Sequence, residues 1–359
     1  HRAPRPPGSA RGSGLAPRFV EAAHRFGVGV MLDVVYNHLG PEGNVLGRFG
    51  PYFTDAHRTP WGDAVNVAEA ASDGVRRYFI ENAVGWIRDH HVDGLRLDAV
   101  HAIVDPTPIP FVQELTREVH SAARHEQRTA LVTIVSSAND PRIVRPEGEH
   151  GWGCDAVWDD DVHHSLRVAL TGERQRYYRA YAGTADLATA WERRWVYRGQ
   201  YSPSFDRRHG APADTIDHRH FIVFGTNHDH IGNTPAGRRL LADADPADPR
   251  HRLGASAILL SPFTPMLFMG EEYGETAPFP YFVDHGDPDL VEAVRQGRQR
   301  EFADADWSGG VADPADPATF ESAVLDVTAT EREPHRSRLA MYTELIRLRR
   351  ELPIPTDAD

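Results

Sequence analysis

The sequence predicts a (β/α)-barrel of the TIM class. Three observations carry this: helical and strand-like segments alternate, the strand-like segments are short continuous apolar runs, and several of those runs close on clusters of polar side chains. Parallel strands buried on both faces read as unbroken Val, Ile and Leu, because no side of them meets water. Polar residues that end such strands stand at the C-terminal rim, where barrels carry their chemistry.

In residues 15–27, Leu15, Phe19, Ala22, Ala23 and Phe26 recur at helical spacing, and Gly27 stands where a helix stops. Residues 29–35 form a first buried strand. A helix over 75–90, with Phe79, Ala83, Val84 and Ile87 on one face, leads to a strand at 94–98. A helix at 111–124 precedes a strand at 130–135. Further strands are expected at 156–158, 221–226 and 265–269, with helices near Leu166, over 253–260 and over 338–352.

Six strands are two short of a closed eight-stranded barrel. The barrel is therefore expected to be incomplete, with its first two strands missing. Residues 1–14, rich in Arg, Pro, Gly and Ser, read as a disordered or non-native leader, 15–352 as a partial catalytic barrel and 353–359 as a tail. The Asp- and Pro-rich pieces 243–249 and 312–317 read as solvated turns.

With 359 residues, 40% apolar and 25% charged, the chain falls in the globular class. Its apolar runs break well short of the roughly 20 residues of a membrane span, and residues 1–14 lack a secretory h-region. Cys154 is the single cysteine, which excludes an internal disulfide, points to a reducing cytoplasm and reads as a small core residue. All 39 basic residues are Arg, outnumbered by 52 acids to give a net charge of −13. Scattered arginine on an acidic surface argues against nucleic-acid and membrane partners and suits a neutral substrate.

Four strand ends carry candidate chemistry. Asp33-Val-Val-Tyr-Asn37-His38 closes the first strand with a carboxylate, an amide and an imidazole. In Gly94-Leu-Arg96-Leu-Asp98 the guanidinium and the carboxylate are two residues apart and so share one face of the strand. That opposed charge favours the ionised form of Asp98, which can then act as a nucleophile. Thr226-Asn227-His228-Asp229 can clamp adjacent sugar hydroxyls by charge-assisted hydrogen bonds. Val135-Ser-Ser-Ala-Asn139-Asp140 ends its strand without any acid. Taken singly, these clusters also read as a buried ion pair, a capping turn and a surface loop; their recurrence at successive strand ends favours a site. The pairs His90-His91 and His163-His164 lack metal-ligand spacing and read as solvated helix ends.

Asp33-Val-Val-Tyr-Asn-His38, Gly94-Leu-Arg-Leu-Asp98 and Asn227-His-Asp229 resemble, in the right order, the first, second and fourth signature regions of the alpha-amylase family of glycoside hydrolases. Further stretches resemble the trehalose-releasing branch of that family: His38-Leu-Gly-Pro-Glu-Gly-Asn44, Thr59-Pro-Trp-Gly-Asp63, Trp158-Asp-Asp-Asp161 and Phe268-Met-Gly-Glu-Glu-Tyr273 among them. The resemblance runs from about residue 15 to residue 352. It implies a retaining hydrolase that cuts the α-1,4 bond next to the terminal trehalose of a maltooligosyl trehalose, a related α-glucan being the wider substrate class. By the same resemblance Asp98 is the nucleophile and Asp229 the transition-state stabiliser. Arg96, His38 and His228 surround the innermost sugar, Asp33 shapes the site, and no metal or organic cofactor is needed.

The third signature region departs. The family's pattern has a Glu a few residues before an Asn-Asp-Pro-Arg segment; Asn139-Asp-Pro-Arg142 is present, but the position it marks is Val135, and no acid lies between Thr129 and Ala138. Activity of the chain is thereby in question. The rival expectations are an inactive sugar-binding relative and another family enzyme such as a glucan-branching enzyme.

Overall fold

The computed structural model describes residues 15–59, 62–303 and 310–353. The leader expected at 1–14, residues 354–359 of the expected tail, and Pro60 and Trp61 lie outside the described residues. The chain forms two compact units, 1–158 and 159–359.

The first unit runs α1 (Leu15–Arg25), β1 (Met31–Val34), a hairpin of β2 (Phe53–Thr59) and β3 (Gly62–Val65), α2 (Asp73–His90), β4 (Gly94–Leu97), α3 (Phe111–His125), β5 (Leu131–Val135) and β6 (Ala156–Trp158). Strands β1, β4, β5 and β6 pair in that order and all in parallel, as apolar runs connected by helices should, but the first of them is not buried on both faces as expected: of β1 only Val34 is buried, and Met31 is 42% exposed. β4 is buried along its whole length, and at its start only a glycine fits: a Cβ at Gly94 would come within 2.6 Å of the Leu131 carbonyl oxygen. Helices α2 and α3 pack on each other, burying Phe79, Ile80, Ala83 and Ile87 from one and Phe111, Leu115 and Val119 from the other.

Two expectations need correction in this unit. Phe19 and Phe26, expected on the covered face of α1, are 67% and 86% exposed, and Val20 is the side chain that α1 buries. The crossover from β5 to β6 holds only short 3-10 turns, at Pro141–Ile143 and Glu147–Glu149, where a helix-strand alternation calls for an α-helix. Cys154 lies in the core as expected; burial pushes its thiol up to about 12, which leaves it unreactive at neutral pH.

The second unit runs α4 (Asp160–Thr171), α5 (Thr184–Arg193), the short pair β7 (Tyr201–Ser202) and β8 (Arg207–Arg208), β9 (Phe221–Phe224), α6 (His228–Gly232), α7 (Pro249–Leu259), β10 (Thr264–Met266), α8 (Pro288–Glu301), α9 (Pro317–Glu321) and α10 (His335–Glu351). β9 and β10 pair in parallel, Thr264 opposite Ile222 and Met266 opposite Phe224. Around them Trp195, Phe221, Phe224 and Phe263 are fully buried. Arg349 of α10 donates to the carbonyls of Leu259 at 2.9 Å and Ser261 at 2.6 Å, fastening the last helix to the end of α7. The Asp- and Pro-rich pieces are turns that also start helices. Asp248 and Asp316 each accept a backbone N–H of the first turn at 2.9 Å, and Pro249 and Pro317 occupy the first helical position. Among the described residues no helix is long and apolar enough to cross a membrane.

A buried arginine ties the first unit together. Arg76 of α2 donates to Asp105 Oδ2 at 2.8 Å, to Glu114 Oε2 at 2.8 Å and to the carbonyls of Val67 and Ile109. Asp105, 4% exposed in its side chain, also accepts from the backbone of Phe111 at the head of α3. Replacing Arg76 by Ala leaves that carboxylate buried and uncompensated, a change that costs about 3–5 kcal/mol. Urea unfolding followed by circular dichroism should show Arg76→Ala with a correspondingly lower midpoint, and Arg77→Ala, on the exposed face next to it, with almost none.

Candidate active site

The first unit brings two candidate carboxylates, Asp33 and Asp98, to the guanidinium of a third candidate, Arg96. The register of β4 sets Arg96 opposite Asp33 on β1 and Thr133 on β5. Arg96 Nη1 donates to Asp33 Oδ1 at 2.8 Å and Oδ2 at 2.9 Å, and lies 2.9 Å from Asp98 Oδ1. The guanidinium carbon sits 4.4 Å from the centroid of the Trp158 ring, so an aromatic face covers the plane. The Arg96 side chain is 5% exposed, against 50% for Asp33 and 20% for Asp98.

The other oxygen of Asp98 is also held. Asn37, buried just past β1, donates through Nδ2 to Asp98 Oδ2 at 3.0 Å and to the Asp98 carbonyl at 2.7 Å. Its own side-chain oxygen hydrogen-bonds His38 Nδ1. Ala99, at φ +40, turns the chain sharply after Asp98, so the carboxylate stands at a strand end with each oxygen fixed by a different neighbour. Burial lowers the affinity of His38 for a proton, and the charge of Asp98 opposes this in part. His101 is shifted the same way for the same two reasons, and the backbone N–H of Ser137 points at its Nδ1 at 3.4 Å.

Val135 is the last residue of β5. Leu97 pairs with Ile134, so Asp98 and Val135 follow directly on neighbouring strands, which run about 4.8 Å apart. The nearest acid further along the chain, Asp140, is committed elsewhere. Arg142 donates to it from Nε at 2.9 and 3.1 Å and from Nη2 at 2.6 Å, and Asp140 also accepts the Arg142 backbone N–H at 2.9 Å.

In the second unit, Asn227 is buried and caps α6 by accepting the His230 backbone N–H at 2.9 Å. His228 and Asp229 follow on the first turn, their side chains 37% and 49% exposed and 3.6 Å apart. His230 turns inward and stacks on His163 with ring centroids 3.6 Å apart. His163 Nδ1 lies 2.7 Å from the Gly225 carbonyl, which can only accept, so Nδ1 carries the proton and Nε2 accepts from the Tyr178 hydroxyl at 3.1 Å.

Sequence reasoning missed this group. His163 and His164 are not solvated helix ends: burial holds His163 and His230 well below the usual imidazole range and pushes His164 down to about 3. Tyr177, Tyr178 and Tyr181 wall in the start of α4, and a two-residue motif gives no sign of that cover. Of the acids at 159–161, Asp159 caps α4 in the interior and Asp161 accepts from the Tyr181 hydroxyl at 2.6 Å and the Val196 N–H at 2.8 Å. Asp160 is partly exposed and lies 3.7 Å from His230 Nε2.

A cavity of about 160 Å³ inside the second unit is lined by Gly225, Thr226, Arg239, Glu271, Tyr273 and Tyr342 among others. Glu271 accepts from the Phe268 N–H at 3.2 Å and the Tyr342 hydroxyl at 3.1 Å, and a Cβ at Gly225 would come within 3.1 Å of its Oε1. Burial pushes its carboxyl up to about 7.

No family model matches the chain. It is 46% identical over 343 residues to the malto-oligosyltrehalose trehalohydrolase of Arthrobacter ramosus, covering 95% of this chain and 59% of that protein. With the enzyme of the same name from Saccharolobus solfataricus it shares 40% identity over 334 residues, covering 93% and 56%. A crystal structure of a putative alpha amylase from Salmonella typhimurium superposes with a TM-score of 0.85 at 36% identity, over 95% of this chain and 57% of that one. The chain thus spans less than three fifths of the length of the proteins it matches. It belongs to the alpha-amylase family of glycoside hydrolases, and its fold is an incomplete (β/α)8 barrel of that type. Within the family, the curated relatives it matches along nearly its whole length are malto-oligosyltrehalose trehalohydrolases.

Glu271 makes stability depend on pH in a definite direction. The folded state holds the Glu271 proton up to about pH 7, whereas the unfolded chain releases it near the ordinary value of 4.5. The folded state is therefore penalised progressively as pH rises through that window, and fully above it. Glu271→Gln can accept the Phe268 N–H through its amide oxygen and donate its amide N–H to the Tyr342 hydroxyl, and it removes the penalty. Thermal melts should show it more stable than the native chain at pH 8, on the order of a few degrees, with the difference gone by about pH 4.5.

Proposed function

We propose that this chain carries the site of a retaining glycosidase for maltooligosyl trehalose, cutting the α-1,4 bond beside the terminal trehalose, and that Val135 deprives it of the general acid. Asp98 attacks the anomeric carbon, Asp229 stabilises the positive charge that develops there, and His38, Arg96 and His228 bind the sugar. Asp33 braces Arg96. The observation that carries this reading is the fixation of Asp98, with Oδ1 facing Arg96 at 2.9 Å and Oδ2 accepting from Asn37 at 3.0 Å. A carboxylate so held is oriented and placed at a strand end, which is what a nucleophile requires. Retaining glycosidases keep their two carboxyl groups about 5–5.5 Å apart. The strand spacing supports position 135 as the place of the second, and there the side chain is an isopropyl group. No step of this chemistry needs a metal or organic cofactor, and a single buried thiol agrees with a cytoplasmic setting.

The identity of residue 135 also favours a second reading, a sugar-binding relative that no longer hydrolyses. Kinetics separate the two. A positioned general acid is worth about 10²- to 10⁴-fold, so Val135→Glu should raise trehalose release from maltooligosyl trehalose by about 10²-fold or more, and Asp98→Asn in that background should abolish it. If the native chain already hydrolyses this substrate well and Val135→Glu adds nothing, the donor lies elsewhere. If Val135→Glu stays inert while the chain still binds maltooligosyl trehalose, the binding-protein reading stands.

A further inference from the structure

We propose that the donors open to this chain are α-glycosyl phosphates, and that it exchanges inorganic phosphate at the anomeric carbon where its relatives would admit water. The inference rests on the reading of Asp98 as the nucleophile. Val135 stands at the strand end beside Asp98 and brings no proton. Asp140 is occupied by Arg142, and His101, whose Nδ1 receives the Ser137 N–H, is held neutral near pH 7 by burial. An ordinary sugar leaving group departs from such a site as an unprotonated alkoxide, which is prohibitively slow. A glycosyl phosphate monoanion carries the missing proton on its own phosphate.

The step balances without any acid from the protein. The Asp98 carboxylate forms a bond to the anomeric carbon as the bond from that carbon to the phosphate-bearing oxygen breaks, and hydrogen phosphate leaves as the dianion with its own proton. In the return half, water would need a base to take its proton, and the residue that serves as base in retaining enzymes is the same one that is missing. Hydrogen phosphate needs none. It attacks the anomeric carbon, expels the Asp98 carboxylate and regenerates the glycosyl phosphate monoanion with its configuration retained.

Charge opposes an incoming anion less here than in a site that keeps a glutamate at position 135. With Asp98 esterified, the Arg96 guanidinium is balanced in its cluster by Asp33 alone, and its Nε and Nη2 are buried with no hydrogen-bond partner among the described residues. Asp229, in its proposed role, adds one negative charge. A glutamate at 135 would add another directly beside the incoming anion, and Val135 adds none.

The test incubates the full chain at pH 6 with α-maltosyl phosphate and ¹⁸O-labelled inorganic phosphate, and follows label entering the sugar phosphate by ³¹P NMR. Exchange should exceed release of free maltose by at least about tenfold, and it should fall as pH rises above the second phosphate pKa near 6. Asp98→Asn and Asp98→Glu, each checked by circular dichroism, should abolish it. Val135→Glu should slow exchange and turn the intermediate toward hydrolysis. A parallel run with α-maltosyl fluoride, read by fluoride release, separates the failures. Fluoride release that depends on Asp98, without phosphate exchange, overturns the inference and leaves the nucleophile in place. No reaction with either donor overturns both.

Discussion

Arg96 places a positive charge in the middle of a strand whose neighbours are Gly94, Leu95 and Leu97, all buried. A guanidinium there is tolerable only because one of its nitrogens lies within 3 Å of two carboxylates and the Trp158 ring covers its plane. This constraint orders the rest of the first unit's site. It fixes which oxygen of Asp98 is engaged, leaves the other to Asn37, and makes the end of β1 and the end of β4 one structure. The parallel register brings this about: side chains two apart on β4 share a face, and the paired position on β1 carries the second acid.

The second unit builds its strand end mainly from buried rings and hydrogen bonds. Its strand end at Gly225 and Thr226 leads into a single helical turn whose exposed members are His228 and Asp229; behind it His163 hydrogen-bonds the Gly225 carbonyl and the Tyr178 hydroxyl, and Asn227 accepts the His230 N–H. Three imidazoles are kept uncharged by burial, two of them stacked ring on ring, and Asn227 supplies the cap.

The barrel class and the parallel strands were legible because their short apolar runs have a recognisable composition; five of the six were placed within two residues at either end, and the last, expected at 265–269, ends three residues earlier at Met266. Asp33, Asn37, Arg96 and Asp98 were legible as neighbours because strand periodicity is two and the clusters close successive strands. Other features have no local signature. The β2–β3 hairpin alternates poorly, α8 buries no side chain that would mark its face, and the crossover from β5 to β6 lacks an α-helix. The burial of His163 and His164 depends on tyrosines a dozen or more residues away, and that of Glu271 on Tyr342 seventy-one residues away, so no window of sequence shows them. The apolar spacing of α1 was real, yet spacing says only that Phe19 and Phe26 share a face, not that the face is covered.

The proposed function turns on two neighbouring strand ends: Asp98 is held at both carboxylate oxygens, and the position beside it, Val135, is apolar. The most direct measurement is peptide mapping by mass spectrometry after quenching the chain with α-maltosyl fluoride in acid. Without a base to activate water, the maltosyl ester should accumulate to near stoichiometry, and the modified peptide should carry it on Asp98. An adduct on Asp33 or Asp229, or complete hydrolysis with no ester accumulating, would contradict the account.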